Sequence, residues 1–366
     1  MMKVPQREEG VASMTAMPPG QNKQHGRRSS TIRDVAALAG VSKSTASRAV
    51  AGQGGVSAEN LEKILKAIEQ LDFVPNQIAR SLTARSSAVL GLFLRHTRAP
   101  FYAHLAGAFE ESAAVKGYEV MSLASGDQPD EANYRSLMLM ADLHTAGIVV
   151  ATPNVDPRTI RQVASRVPLV LASQMGQPSN PGVPFVAPDP RDGGHLIEHL
   201  AGLGHTAIAV LALPAQHAPT QWARISWMRD ELTRRGMLAG FEWIEPDQDL
   251  TEIVDSLYRS GATAIMAPSD WVAFDVLSAT DRLGLSVPGD LSVTGYDGVP
   301  PFDHSVFGLT TYRIPVDEMA AAALKLLDDL IHDNPIGTSG VLLHGEMIVG
   351  RTTGPVPARK VADRIS

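Results

Sequence analysis

Between Thr31 and Leu71 apolar residues recur at intervals of three and four, and polar or glycine punctuation cuts the stretch into three short helices. Thr31 is placed to cap the first, with Asp34 three positions on and Ile32, Val35, Ala36 and Ala39 forming one apolar face. Gly40-Val41 turns the chain. Ser42 caps a second helix to about Val50, whose Ala46 and Val50 face inward while Lys43, Ser44, Ser47 and Arg48 stay outside. After a Gly52 to Gly55 loop, Ser57 caps a third helix in which Leu61, Ile64, Leu65, Ile68 and Leu71 are expected to close a small core.

The pattern changes after Pro75. Asn76 to Arg85 is weakly amphipathic and reads as a linker with helical potential. From Val89 onward, short unbroken apolar runs alternate with helix-length segments: Val89–Leu94, Val120–Leu123, Ile148–Ala151, Leu169–Ala172, Ile208–Leu213, Ala264–Ala267 and Leu291–Thr294. That alternation predicts parallel sheets covered on both faces. About 270 residues is generous for one doubly wound sheet, so two similar lobes are expected, with a boundary near Asp189 and a later return of the chain.

Composition narrows the class. The 366 residues are 44% hydrophobic and 19% charged, enough apolar material for globular domains. Cysteine is absent, which removes disulfides, thiolate metal sites and thiol nucleophiles. No run approaches the roughly 20 apolar residues of a membrane span, and Met1–Ser30 has no apolar export segment, so a cytoplasmic protein is expected. Charge is uneven: residues 1–86 carry 12 Lys+Arg against 7 Asp+Glu, and the remainder is strongly acidic. A polyanion would be drawn to the N-terminal end alone.

The helix-turn-helix pattern Thr31-Ile-Arg-Asp-Val-Ala-Ala-Leu-Ala-Gly-Val-Ser-Lys-Ser-Thr-Ala-Ser-Arg48 resembles the N-terminus of the lactose repressor/galactose repressor family of transcription regulators. The likeness continues through Val74-Pro75-Asn76, Ala79-Arg80-Ser81-Leu82, Ala201-Gly-Leu-Gly-His205, Pro288-Gly-Asp-Leu-Ser-Val-Thr-Gly-Tyr-Asp297, Leu309-Thr-Thr311 and Arg351-Thr-Thr353. It implies an α/β architecture: a disordered basic arm (1–29), a three-helix DNA-binding module (30–75), a hinge helix (76–87), a two-lobed periplasmic-binding-protein-like core of parallel sheets (88–354) and a short tail (355–366). Implied partners are a palindromic double-stranded operator, a carbohydrate-like effector and a second copy of the chain, with no membrane and no cofactor.

Residue roles follow from the same resemblance. Lys43 and Ser44 match the operator-discriminating positions, and Arg48 the recognition-helix arginine. Thr31, Ser42, Thr45 and Ser47 offer hydroxyls or helix-terminal amides to phosphates. Asn76 and Ala79 belong to the hinge helix, where Leu82 matches the leucine that wedges into the minor groove. Phe101, Asp189, His195, Arg224, Ser269, Asp270, Trp271 and Asp297 match positions at or near the effector cleft, where Trp222 is also suited to stack on an apolar sugar face.

Departures from the family pattern point to a ligand other than an ordinary free hexose, or to a reshaped pocket. Ser269-Asp270 replaces an Asn-Asp pair; Trp227 and Met228 end an Arg-x-x-Gly-aromatic pattern; His195 stands where the lactose-responsive prototype has arginine; and Pro190 interrupts an Asp-Asn pair. Residues after Thr353 show no leucine heptads, so no tetramerisation helix is expected.

Two enzyme readings and one binding reading compete. His195-Leu-Ile-Glu198-His199 spells the H-x-x-E-H zinc pattern, yet no active-site context accompanies it. Alternating α/β would suit a dinucleotide enzyme, but no G-x-G-x-x-G opens a helix after the first strand and no phosphate-binding loop is present. A solute-binding protein without regulation would share the core but requires export.

Overall fold

Each described helix of the N-terminal unit begins at a hydroxyl. In the computed structural model, which describes residues 30–50, 54–73, 88–126, 129–153, 155–173, 182–215, 218–337 and 340–356, two units are distinguished, Met1–Arg80 and Ser81–Ser366. Helix α1 (Ile32–Ala39) starts with a reciprocal capping box between Thr31 and Asp34 and ends, where the sequence predicts a turn, at Gly40, whose φ of 66° is left-handed. For α2 (Lys43–Val50) the cap is Ser42, which accepts from the Thr45 amide at 3.1 Å. For α3 (Ala58–Gln70) it is Ser57, accepting from Asn60 at 3.3 Å.

The core of this unit is Val35, Ala39, Ile64 and Ala67, flanked by Ile32, Ile68 and Leu71. Leu61 and Leu65, expected inside, are 39% and 56% exposed. The buried stripe of α3 runs through positions 64, 67, 68 and 71, spaced three, four and seven from Ile64, and so leaves those two leucines to its side.

In the larger unit, six parallel strands form the first lobe in the order β11-β5-β4-β3-β1-β2: β1 (Val89–Leu94), β2 (Glu119–Ala124), β3 (Gly147–Ala151), β4 (Leu169–Ala172), β5 (Phe185–Pro188) and β11 (Gly340–Leu343). Successive side chains enter different cores. Leu92, Leu94 and Val149 meet α4 (Pro100–Val115) and α11 (Val316–Ile331), whereas Phe93, Ile148 and Val150 meet α5 (Asp130–Asp142) and α6 (Pro157–Ala164). The unbroken apolar runs are therefore two-faced strands.

Four parallel strands form the second lobe, in the order β7-β6-β8-β9: β6 (Ile208–Ala212), β7 (Leu238–Trp243), β8 (Ala264–Met266) and β9 (Ser292–Thr294). A 3-10 turn (Pro190–Gly193), α7 (Gly194–Gly202), α8 (Pro219–Arg234), α9 (Thr251–Ser260) and α10 (Asp270–Arg282) cover it. A short antiparallel pair, β10 (Thr311–Arg313) with β12 (Glu346–Ile348), adjoins this lobe. Among the described residues the chain crosses between lobes three times: after β5 at Asp189, between β10 and α11, and between β11 and β12. Among the described residues no helix is long and apolar enough to cross a membrane.

Candidate functional site

Two surfaces carry the candidate residues. On the small unit, Ala46 is fully buried beneath α2, and this fixes which side of the helix turns outward: Ser42, Lys43, Ser44, Ser47 and Arg48 are exposed and Thr45 is half-buried. Ser42 Oγ lies 2.8 Å from both Ser44 Oγ and Thr45 Oγ1, so three hydroxyls cluster beside the free amides of the helix start. Thr31 is committed to its cap, with its hydroxyl donating to Asp34 at 2.7 Å. Asn76, Ala79 and Leu82 lie outside the described residues.

The second surface is built where the strands of both lobes end. All six core strands of the first lobe and all four of the second run parallel, so their carboxyl ends gather loops at the lobe junction, as crevices of doubly wound sheets do. Arg224, in the second turn of α8, is its centre: it donates to Asp297 at 3.0 Å and to the Pro268 carbonyl, and its guanidinium lies 3.9 Å from the centroid of the Tyr296 ring. Only 5% of Arg224 is exposed, yet its Nε has no hydrogen-bond partner. Asp297 sits at φ 117°, in the left-handed region, held by backbone bonds to Tyr312 and Ile314.

Asp270 is buried at the start of α10. Its two oxygens accept from Thr311 Oγ1 at 2.5 Å and from the Gly298 amide at 2.7 Å, so the carboxyl is used inside the fold. Burial, reinforced by Asp297, lifts it well above the usual carboxylate range; burial also lifts Asp297, against the pull of Arg224. Ser269 caps α10 by accepting from Val272 at 3.4 Å. Phe101 is buried and edge-on to Tyr102, whose hydroxyl burial pushes up to about 12 while Arg95 draws it down.

The remaining candidates are dispersed. Asp189 is held by Arg191 of its own turn, through its backbone amide at 2.9 Å and its guanidinium at 2.5 Å, and this hydrogen bonding lowers its pKa. His195 is exposed and stacked flat on Tyr312, with ring planes 1° apart. Trp271 is 55% exposed and packs edge-on to Phe302, and Trp222 stacks on Trp243 at 4.9 Å. Sequence reasoning missed Tyr102, Tyr296, Tyr312, Asp192 and His344. Tyr296 was within reach, since it stands beside Asp297; His344 carries no local signal.

The comparisons match this arrangement. Residues 31–76 match the profile of bacterial regulatory proteins of the lacI family, and residues 197–353 that of a periplasmic binding protein-like domain; together they span more than half of the chain. The chain belongs to the LacI family. A ribose operon repressor of Halalkalibacterium halodurans is 29% identical over 340 residues, covering 88% of this chain and 97% of that protein. The transcriptional regulator MalR of Streptomyces coelicolor is 28% identical, covering 90% and 98%. Among solved structures, the lac repressor dimer bound to operator and the anti-inducer ONPF aligns with a TM-score of 0.76 at 24% identity over 89% of this chain and 100% of that one. The transcriptional regulator CelR in complex with cellobiose aligns at 0.62 and 24%, covering 88% and 99%. At such identities the two structures speak for the fold.

As a LacI-family transcription regulator, the chain accommodates its departures in particular places. A Cβ on Gly193 would stand 2.1 Å from Met228 Cε, and one on Gly194 would stand 3.1 Å from Trp227. The two bulky residues of α8 therefore fill the space above a glycine pair in the 3-10 turn and α7. The H-x-x-E-H residues do not converge: His195 lies on Tyr312, Glu198 pairs with Arg235 at 2.6 Å, and His199 bonds Thr353 at 2.8 Å. No metal-binding group of three His, Asp or Glu occurs among the described residues.

Proposed function

We propose that the chain is a homodimer that reads a palindromic duplex operator through α2, and that a carbohydrate-like effector held around Arg224 and Asp297 adjusts its grip. The observation that carries this reading is the outward face of α2, where Lys43, Ser44, Ser47 and Arg48 are exposed over a buried Ala46. Lys43 and Ser44 read base edges, Arg48 contacts a base or a phosphate, and the Ser42, Thr45 and Ser47 hydroxyls fix register on the backbone. Leu82, in the linker that follows the three-helix module, enters the minor groove. A DNA partner supports a cytoplasmic location.

The cleft is a binding site rather than a catalytic one. The unsatisfied Arg224 Nε offers a buried donor to a ligand oxygen. Relatives named ribose operon repressors, and the CelR–cellobiose complex, support a carbohydrate-like ligand for this chain as well. Control is a shift of population: an effector that prefers one lobe arrangement changes how readily the two linkers engage the operator together.

Fluorescence anisotropy of labelled palindromic duplexes, selected from random sequence by the full-length chain, tests the DNA arm. Thermal shifts with ribose, maltose and cellobiose test the effector arm. A chain that binds all duplexes equally overturns the first, and one whose unfolding temperature responds to none of the sugars overturns the second.

A further inference from the structure

The three connections between the lobes are bonded to one another at a single buried carboxylate. Asp192, in the turn of the first connection, is 6% exposed. Its Oδ2 accepts from Tyr312 Oη at 2.7 Å, at the head of the second connection, and its Oδ1 lies 2.9 Å from His344 Nδ1, in the third. The third also reaches the second directly, because the Gly345 amide donates to Tyr312 Oη at 2.7 Å. A Cβ on Gly345 would stand 1.8 Å from the Arg313 carbonyl, so the backbones of these two connections touch. The first is tied to the third through the Asp189 amide and the Leu343 carbonyl at 3.1 Å.

We propose that Asp192 is a clasp that fixes the angle between the lobes, and that protonation of His344 tightens it. The tyrosine and histidine contacts use both carboxylate oxygens, and a change of lobe angle must stretch at least one of them. The clasp also touches the cleft: His195 lies flat on the Tyr312 ring, so a cleft occupant that moves His195 moves the tyrosine that Asp192 holds.

The charges around His344 set the sign. Its hydrogen bond to Asp192, and that carboxylate's charge, raise its pKa; Asp189 adds to this and Arg191 opposes it. From β10 and β12 come Arg313 and Glu346, paired at 2.8 Å, with Asp303 behind the arginine. From α4 and α11 come His104 and Asp317, paired at 3.1 Å, and Glu318. These groups border a cavity of ≈ 470 Å³ beside the second and third connections, so His344 is reached by solvent protons. A raised folded-state pKa means that the stabilisation is complete below the ordinary histidine range and is lost as pH rises through the folded value.

Hydrogen–deuterium exchange of the full-length chain from about pH 5.5 to about pH 8.5, corrected for intrinsic rates, reads the clasp at the amides of Asp189, Ile314 and Gly345. Protection there is expected to fall several-fold with rising pH in the wild type. His344→Ala removes a side chain that is 66% exposed, and should lower protection at acid pH and abolish the pH dependence. Asp192→Asn should do the same, and His344→Lys, charged throughout, should stay protected across the range. A wild type without pH dependence at these amides, or a His344→Ala chain that keeps the wild-type profile, overturns the clasp.

Discussion

Arg224 holds Asp297 at 3.0 Å in a site where the arginine is 5% exposed, and the ion pair lies against the face of Tyr296. A buried pair of this kind adds little net stability, but breaking it strands the partner. Arg224→Met is expected to cost about 3–5 kcal/mol, measured as a lower urea midpoint at unchanged slope. Asp297→Asn in the same background should recover part of the loss, and additive losses would show that the two residues are not coupled.

Asp270 gives the pair a pH signature. In the unfolded chain its carboxyl ionises in the ordinary range near pH 4, whereas in the fold burial and Asp297 hold the proton to higher pH. The stabilisation is thus complete below the ordinary range and is lost as pH climbs towards the folded value. Asp270→Asn should therefore gain on the wild type as pH rises from about 4 to neutrality, in parallel urea titrations; a difference constant with pH would place the carboxyl in the ordinary range.

The packing of α8 against the glycine pair is open to a direct steric test. Gly193→Ala puts a methyl onto Met228 and should cost about 1–3 kcal/mol. Met228→Ala in the same chain should offset part of it, read by thermal unfolding.

Much of this architecture is written in local pattern. Val89–Leu94 and Leu169–Ala172 are strands with the bounds that their apolar runs predict, because a strand buried on both faces has no polar position to blur it. Thr31, Gly40, Ser42 and Ser57 mark helix ends by side-chain or backbone chemistry confined to a few residues. What escaped the pattern is what depends on distant partners. Strand β7 is an edge and ends in half-exposed residues, β5 ends in Pro188, and β10, β11 and β12 are short pieces completed by residues far away in sequence. The cleft divides in the same way. Of the residues that the resemblance assigns to the cleft, Arg224 and Asp297 bond each other, whereas Asp270 bonds Thr311 and Gly298, and Trp271 packs at the surface beside Phe302. Which polar atoms a fold uses internally is decided by contacts that no short window contains.

On DNA, Lys43 and Leu82 should respond differently. Lys43→Ala should relax base preference at one operator position by about 1–3 kcal/mol, seen as a changed ranking of single-base operator variants; a uniform weakening, with a salt slope smaller by about 1, would assign the lysine to phosphate instead. Leu82→Ala should reduce specific affinity by about tenfold or more and leave non-specific affinity nearly unchanged, and equal losses would refute the wedge.

The most direct measurement is the affinity of the full-length chain for a selected palindromic duplex against a scrambled duplex of the same length, across a salt series that includes physiological ionic strength. The account predicts a preference of about a thousandfold or more, with affinity falling steeply as salt rises because basic residues of the N-terminal segment other than Lys43 neutralise phosphates and displace counterions. Equal affinity for both duplexes, with or without ribose, maltose or cellobiose, would contradict it.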